Sequence, residues 1–447
     1  MRIAVLALSL LPLFPLAAQP TPQRPFGTVR EQAAVQQQWL AVRLERNLPA
    51  VMRAHGVDMW VVAMREYNED PVFRALVSPT TFAARRRTVY VFFDRGPVEG
   101  VERIALGGSS QGGLYTTVRA TEAAPDGRPR ELWGAAQWER FAQVVRERNP
   151  RRIAVNISRE HNFADGLSAG EWEQMQEALG PDLRPRVVRN ERLAIDYLSL
   201  RVPEMLPTFR RMQELVHEII ATAFSRAVIT PGTTTTDDVV WWMRERFVDL
   251  GLGTWFQPSV DVQRRGADMR DSVAPVILRG DVLHCDVGIT VLGLNTDTQH
   301  MGYVLREGET APPAGILAAL AASNRLQDLA MAEIRPGRTG NEALAATLGQ
   351  MRSAGIDGTV YSHPVGDHGH GAGPLIGLWD RQDGVPGRGD LPMLAGTWFS
   401  IELQAGTPVP EWDGQVVRSM QEEDAELDTD GQMRWILERQ AAFHLVR

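Results

Sequence analysis

The chain has 447 residues, more than one ordinary hydrophobic core can organise, and this length predicts two domains. Its net charge of −8 argues against nucleic acid or an anionic membrane as the main partner. The sequence contains no lysine, which excludes Schiff-base chemistry on a lysine and a phosphate-loop ATPase.

Residues 1–18 have the features of a secretory signal peptide. A basic start is followed by an apolar stretch too short to span a membrane and by the small residues Ala17 and Ala18. The alternative, a buried N-terminal helix, is disfavoured by Pro12 and Pro15. No cysteine lies near the predicted cleavage site, so we expect no stable membrane anchor. The sequence therefore predicts a periplasmic or secreted protein.

The next part of the chain predicts an α/β accessory domain over residues 26–198. Residues 19–25 carry three prolines and predict an extended lead-in to it. Apolar, β-rich runs at 58–63, 88–93 and 152–156 predict strands. This region does not concentrate His, Asp and Glu, so we place no site in it.

The remainder, residues 199–447, opens with a helix and contains an internal repeat. One apolar face is predicted for Met212, Leu215, Val216, Ile219, Ile220 and Ala223. A Pro-Gly at 231–232 is followed by Thr234 and Asp237, a helix-capping pattern. The same order recurs 105 residues later, with Pro-Gly at 336–337, Thr339 and Glu342. Two in-register matches predict an α/β (α+β) fold of two pseudo-repeated halves.

A hairpin over residues 281–297 carries the first chemical signal. Its apolar positions alternate, so Cys285 is predicted to lie in the core. A turn near Val291 and Leu292 would place Asp286 opposite Asp297. Facing carboxylates repel unless a cation joins them, and hard divalent metals prefer such oxygens. The alternative is two solvated carboxylates on an exposed face.

Three further elements complete a candidate metal site. His370 lies in a glycine cradle at 369–373, although spacing alone leaves His363 and His368 open as the metal-binding histidine. Glu402 follows an alternating strand, and an acidic run at 421–424 contributes one more glutamate. Two Asp, two Glu and a neutral His carry four negative charges, which balance two divalent cations in a known hydrolytic arrangement.

The order Asp, Asp, His, Glu, Glu resembles the pita-bread metallopeptidases, the family of methionine aminopeptidase, aminopeptidase P, prolidase and creatinase. The resemblance implies a C-terminal pita-bread domain over 199–447, a creatinase-like N-terminal domain and a homodimer. It also implies two divalent ions (Mn, Co or Zn). The implied metal ligands are Asp286, Asp297, His370, Glu402 and Glu422, with Glu423 as the alternative last ligand and Glu402 also handling the proton of the attacking water.

If His370 is the metal ligand, two histidines of the family pattern are missing. Residues 250–280 contain none, and Gly377 stands seven residues after His370. The leading hypothesis is a hydrolase of Xaa-Pro type, an aminopeptidase or dipeptidase acting on peptides outside the cytoplasm. The alternatives are hydrolysis of a non-peptide amide or C–N bond on the same fold, and a non-catalytic binding protein.

Overall fold

The computed structural model describes residues 24–447. The predicted signal peptide and most of the predicted lead-in lie outside these residues. Within the described part, no helix is long and apolar enough to cross a membrane.

Between residues 24 and 447 the structure has ten α-helices and nineteen β-strands. The helices are α1 (Val29–Val42), α2 (Leu48–Ala54), α3 (Phe73–Leu76), α4 (Gly134–Arg148), α5 (Ala169–Leu183), α6 (Glu191–Ser199), α7 (Leu206–Ala223), α8 (Thr236–Asp249), α9 (Ala314–Glu333) and α10 (Gly340–Ser353). A π-helical turn, Arg43–Asn47, joins α1 to α2, and five short 3-10 turns lie at Asn162–Ala164, Arg184–Arg186, Pro203–Met205, Arg388–Asp390 and Pro410–Trp412.

The strands divide into five sheets. Six form the first: β1 (Met59–Arg65), β2 (Arg87–Asp94), β3 (Val101–Leu106), β4 (Thr116–Val118), β5 (Ile153–Val155) and β6 (Val187–Arg189). The others draw on β7 (Ser259–Gln263), β8 (Val282–Val287), β9 (Thr290–Val291), β10 (Leu294–Asn295), β11 (Thr298–Val304), β12 (Asp357–Val360), β13 (His363–Val365), β14 (Thr397–Ser400), β15 (Leu403–Pro408), β16 (Val416–Gln421), β17 (Asp424–Leu427), β18 (Met433–Trp435) and β19 (His444–Val446).

The first sheet has the order β4-β3-β2-β1-β5-β6 and is covered on both faces. Successive side chains of a strand point to opposite faces, and β1 is apolar on both. Met59 and Val61 pack with α4 and α5 on one face, while Trp60 and Val62 pack with α2 and α6 on the other. The three predicted strands of this region are confirmed as β1, β2 and β5.

The predicted internal repeat is two helix–turn–helix units, α7–α8 and α9–α10. Each turn has a glycine at positive φ, Gly232 at +85° and Gly337 at +83°, where a side chain would be strained. Thr339 and Glu342 form the predicted capping box of α10. The first box lies one residue later than predicted, between Thr235 and Asp238 rather than Thr234 and Asp237. The predicted apolar face of α7 is buried.

The predicted hairpin is present, but its strands are offset from the predicted pairing. The two-residue turn consists of Leu292 and Gly293, both at positive φ, as the twist of a tight hairpin favours. This turn centre pairs Asp286 with Gln299, so the prediction that Asp286 faces Asp297 is wrong by two residues. Both aspartates still lie on the same face. Cys285 is fully buried in the apolar core on the other face, as predicted.

The hairpin is joined to the last strands of the chain. The hairpin's long strands lie in the order β19-β11-β8-β7, beside the sheets β13-β14-β17-β18 and β12-β15-β16. A pair of backbone hydrogen bonds between Gln299 and Glu422, each 3.1 Å, connects the hairpin to the chain between β16 and β17. A backbone hydrogen bond from Ile401 N to Glu423 O, 2.9 Å, joins the segment between β14 and β15 to the segment between β16 and β17.

Two hydrophobic cores cross the predicted boundary at residue 198. Trp39 of α1 packs into the core built by α7, α8 and the hairpin, and its Nε1 donates to the Glu204 carbonyl at 3.1 Å. In the opposite direction, Ala372 and Leu391 pack among apolar residues of the first 198. The domain boundary itself stays a prediction.

Candidate metal centre

Five polar side chains converge where strands of the second half begin or break. Asp286 lies on β8, Asp297 precedes β11, His363 opens β13, and two glutamates occupy the breaks between β14 and β15 and between β16 and β17: Glu402 and Glu422. Carboxylate oxygens of Asp286, Asp297 and Glu422 lie within 4.8 Å of one another. His363 Nε2 is 3.4 Å from Glu422 Oε1, 3.5 Å from Asp297 Oδ2 and 3.8 Å from Glu402 Oε2.

A hydrogen bond at Nδ1 of His363 fixes which ring nitrogen faces these carboxylates. Its Nδ1 lies 3.0 Å from the Pro364 carbonyl, which can only accept, so Nδ1 carries the hydrogen of the neutral ring. Nε2 is buried and makes no hydrogen bond, and the same holds for Asp286 Oδ1. Buried polar atoms are normally paired. A ring nitrogen and a carboxylate oxygen that are both buried and unpaired in one acidic group fit a bound cation.

Burial, and then repulsion between the carboxylates, raises the pKa values of the carboxyl groups in the site. Burial and then Glu422 raise the pKa of Asp286 to about 7, and the same two causes raise the pKa of Asp297 well above its usual range. Burial also raises the pKa of Glu402 strongly, and Glu422 adds to it. Burial lowers the pKa of His363, but the nearby glutamates outweigh it and raise that pKa to about 9. Divalent cations would replace protons as the charge balance.

Glu422 and Glu423, which the sequence left as alternatives, point to opposite faces of the sheet. Glu422 joins the convergent group, where Ser400 Oγ donates to it at 2.7 Å. Glu423 instead accepts from His300 Nε2 at 2.6 Å, from His217 Nε2 at 3.0 Å and from Gln440 N at 3.0 Å. His217, His300 and Glu423 also lie close enough together to hold an ion. Their hydrogen bonds already satisfy one another, in contrast to the unpaired atoms of the first group.

His363, rather than the predicted His370, lies between the carboxylates. The His370 ring is next to it, with 4.7 Å between ring centroids, and its side chain is exposed. One of its ring nitrogens lies within 4.8 Å of ligand atoms of Asp297 and His363. His368 stacks against Phe163, at 4.8 Å between ring centroids, and belongs to none of the convergent groups. The structure brings four of the five predicted ligands together around His363 and places the fifth, His370, at the edge of the same group. His370 follows His363 by seven residues, the spacing that the resemblance implies for a second histidine.

An aromatic side chain borders the open side of the site. Trp255 packs edge-on against His370, with 5.1 Å between ring centroids, and its Nε1 donates to the Thr296 carbonyl at 2.9 Å. It fits only because two neighbours are glycines: a Cβ at Gly288 or Gly369 would lie 2.4 or 2.1 Å from the indole. Residues 250–280, which lack the family's upstream histidine, therefore place the Trp255 indole beside the site. Sequence patterns gave no sign of this contact.

Residues 208–428, which include Trp255 and all five convergent residues, match the model of metallopeptidase family M24. This part of the chain belongs to that family, and the predicted pita-bread fold is confirmed. The family consists of metallopeptidases that depend on two metal ions. No curated protein matches the chain significantly by sequence.

Solved structures with a similar fold include peptidases. An X-Pro aminopeptidase from Thermotoga maritima superposes with a TM-score of 0.60 at 15% identity, covering 89% of this chain and 100% of that one. A dipeptidase from Pyrococcus horikoshii gives 0.58 at 13%, covering 91% and 100%. The N-terminal domain of FACT complex subunit SPT16 from Cicer arietinum gives 0.54 at 10%, covering 90% and 96%. At these identities the likeness shows the fold alone.

Proposed function

We propose that the chain is a dinuclear metal-dependent peptidase that hydrolyses Xaa-Pro bonds in short peptides. One observation carries the proposal: the carboxylates of Asp297, Glu402 and Glu422 lie within 3.8 Å of His363 Nε2, which makes no hydrogen bond. The carboxylate of Asp286 groups with those of Asp297 and Glu422. Four negative charges and one neutral imidazole match two divalent cations. A merely structural cluster would also pair His363 Nε2 and Asp286 Oδ1, as the group around Glu423 pairs its atoms.

The residues that would hold the metals are Asp286, Asp297, His363, Glu402 and Glu422. His363 takes the place that the sequence gave to His370. Bound there, the metals would supply a water activated as a nucleophile and would polarise the carbonyl that it attacks. The metal is manganese, cobalt or zinc in this proposal, because all three accept carboxylate and imidazole ligands.

Two residues of this chain have roles in the proposed reaction. Glu402 lies in the group, with Oε2 3.8 Å from His363 Nε2, so its carboxylate can take the proton of the attacking water and pass it to the leaving amine. His370, exposed beside His363, is placed to donate a hydrogen bond to the oxygen that gains charge in the transition state. With His370 in this role, the second histidine of the family pattern is no longer missing.

An arginine beside the site favours a substrate with a free carboxylate. Arg388 Nη2 donates to the carbonyl of Gly371, the residue after His370, and the guanidinium lies over the Phe163 ring. Among residues 24–447, no carboxylate forms an ion pair with Arg388. A half-buried guanidinium without a counter-charge is suited to a planar anion. We therefore favour dipeptides over longer peptides.

The proposed location is outside the cytoplasm, periplasmic or secreted, and it is supported by residues 1–18. N-terminal sequencing of the protein from a fractionated host tests it. A mature terminus near Gln19 outside the cytoplasm is expected, and an intact Met1 inside the cell would count against it. The homodimer stays an expectation from the family resemblance.

The central test is an assay of the mature chain. Metal content is measured, and Xaa-Pro dipeptides and Xaa-Pro tripeptides are offered with and without a chelator, with Glu402→Gln as the control. We expect two metals per chain and chelator-sensitive cleavage that Glu402→Gln abolishes, faster on dipeptides. Two metals without cleavage of any peptide would defeat the substrate proposal and favour another amide or C–N bond. Negligible metal would favour a binding protein.

A further inference from the structure

Gln299 lies between the two glutamates of the proposed metal centre and contacts both. Its Nε2 donates to Glu402 Oε1 and, at 2.9 Å, to Glu422 Oε2. Gln299 is 4% exposed, and its backbone pairs with that of Glu422. The side chain therefore starts from a fixed backbone and ends on two carboxylates.

A histidine on the neighbouring strand fixes the orientation of this amide. Gln299 Oε1 is 2.9 Å from Nε2 of His284, whose Nδ1 is 3.2 Å from Asp261 Oδ2. Carboxylates accept hydrogen bonds, so the NH2 group of Gln299 must face the glutamates and its oxygen must face His284. Nε2 of His284 must then carry a hydrogen. A continuous chain of hydrogen bonds therefore runs from the exposed Asp261 through His284 and Gln299 to Glu402 and Glu422.

The hydrogen bonds of Gln299 divide the four glutamate oxygens into two pairs. Gln299 holds Oε1 of Glu402 and Oε2 of Glu422. The other oxygens, Glu402 Oε2 and Glu422 Oε1, face His363 at 3.8 and 3.4 Å, and Glu422 Oε1 also accepts from Ser400 Oγ at 2.7 Å. An amide can do this without adding charge, whereas lysine or arginine at the same place would cancel one of the four negative charges that the metals need.

We propose that Gln299, oriented by His284, is a positioning residue that holds Glu402 and Glu422 with one oxygen each directed at the metals. The proposal rests on the metal centre proposed above. Groups of this kind, behind the ligands of a metal, typically change metal affinity by roughly 10- to 100-fold when removed.

The first experiment replaces the amide with a side chain of similar length that cannot donate. Gln299→Met and the control Gln404→Met are purified in chelator and titrated with Mn²⁺ by calorimetry. Gln404 is matched because it is also a sheet glutamine, but it donates to Thr359 Oγ1 at 3.0 Å. We expect Gln299→Met to bind Mn²⁺ roughly 10- to 100-fold more weakly and the control to stay within threefold. Circular dichroism and melting of the metal-free proteins show that both variants are folded.

A second pair of variants keeps Gln299 and changes only the group that orients it. Glutamine at position 284 can still donate to Gln299 Oε1, and leucine cannot. His284→Gln should therefore retain more Mn²⁺ affinity than His284→Leu, which should approach Gln299→Met. A residue that only fills space would show the same loss in both variants, so equal affinities would overturn the role of His284.

The outcomes separate this inference from the proposed activity. Mn²⁺ affinity of Gln299→Met within threefold of the unmodified protein would overturn the positioning role, even if peptides are cleaved. Weak Mn²⁺ binding by that variant with no cleavage by the unmodified protein would overturn the peptidase proposal and support the positioning role. An unmodified chain that binds no Mn²⁺ would overturn both.

Discussion

Asp367 lies in the loop between His363 and His370 and is shared by two buried arginines. Its Oδ1 is 2.6 Å from Arg201 Nη1 and its Oδ2 is 2.8 Å from Arg43 Nη1, with both arginine side chains 5% exposed. Arg43 reaches the loop from the first half of the chain. Asp367→Asn keeps the shape and removes the charge that offsets two guanidinium groups.

The expected cost follows from the pKa of this carboxyl. Burial alone would raise it, but Arg201 and Arg43 outweigh burial and lower it from 3.8 to about 2. At about 1.4 kcal/mol per pKa unit, the ionised form gains roughly 2 kcal/mol in the folded state. Removing one partner of a buried pair costs about 3–5 kcal/mol, because a charge is left without its counter-charge. We expect Asp367→Asn to lower the free energy of unfolding by between about 2 and 5 kcal/mol.

Urea unfolding at pH 7, followed by tryptophan fluorescence, measures this change. The matched control is Asp413→Asn, which removes a 2.8 Å pair with Arg265 from a site where the carboxylate is 81% exposed; we expect a loss under about 1 kcal/mol. Because the folded pKa lies below the unfolded one, the contribution of Asp367 is complete above about pH 4 and is lost toward pH 2. A loss no larger than that of the control would refute the reasoning.

Three further predictions concern other parts of the site. His363→Ala should lower the metal content, while His370→Ala should keep both metals and lower kcat by roughly 100-fold; equal metal loss in the two would contradict their separate roles. Glu422→Gln should weaken metal binding, measured by titration. Glu423→Gln should mainly lower the free energy of unfolding, by about 1–3 kcal/mol, measured by melting. The opposite pattern would argue against Glu422 as the metal ligand. The Cys285 thiol, buried and with a raised pKa, should react with a thiol reagent only after unfolding, and rapid labelling of the native chain would be inconsistent with its burial.

Local patterns predicted the hairpin's faces correctly but not its pairing. Alternation is a property of each strand by itself, so it placed Cys285 in the core and Asp286 on the polar face. Pairing depends on where the turn closes, and a turn at Leu292 and Gly293 rather than one residue earlier moves Asp286 opposite Gln299. The role of Gln299 could not be inferred, because its partners come from three other strands or strand breaks.

The histidine and the last glutamate were hard to assign for different reasons. The glycines around His370 correctly indicated an exposed ring near the site, but they could not show that His363 lies closer to the glutamates. His363 opens a strand of three residues, too short for periodicity to reveal, and the tertiary fold brings it to the carboxylates. Glu422 and Glu423 are neighbours whose side chains point to opposite faces. Which of them faces the site depends on how the backbone of this segment pairs with Gln299, and the sequence does not show that pairing.

The interlocked cores have a consequence for how the molecule can be divided. Trp39 packs in the hydrophobic core of the second half, and Ala372 and Leu391 pack in a hydrophobic core of the first half. A fragment beginning at residue 199 would leave an indole-sized hole beside α7 and expose apolar surface around Leu391. Expressing or exchanging the halves separately would therefore break two cores at once, and substitutions that repack one half must be accommodated by the other.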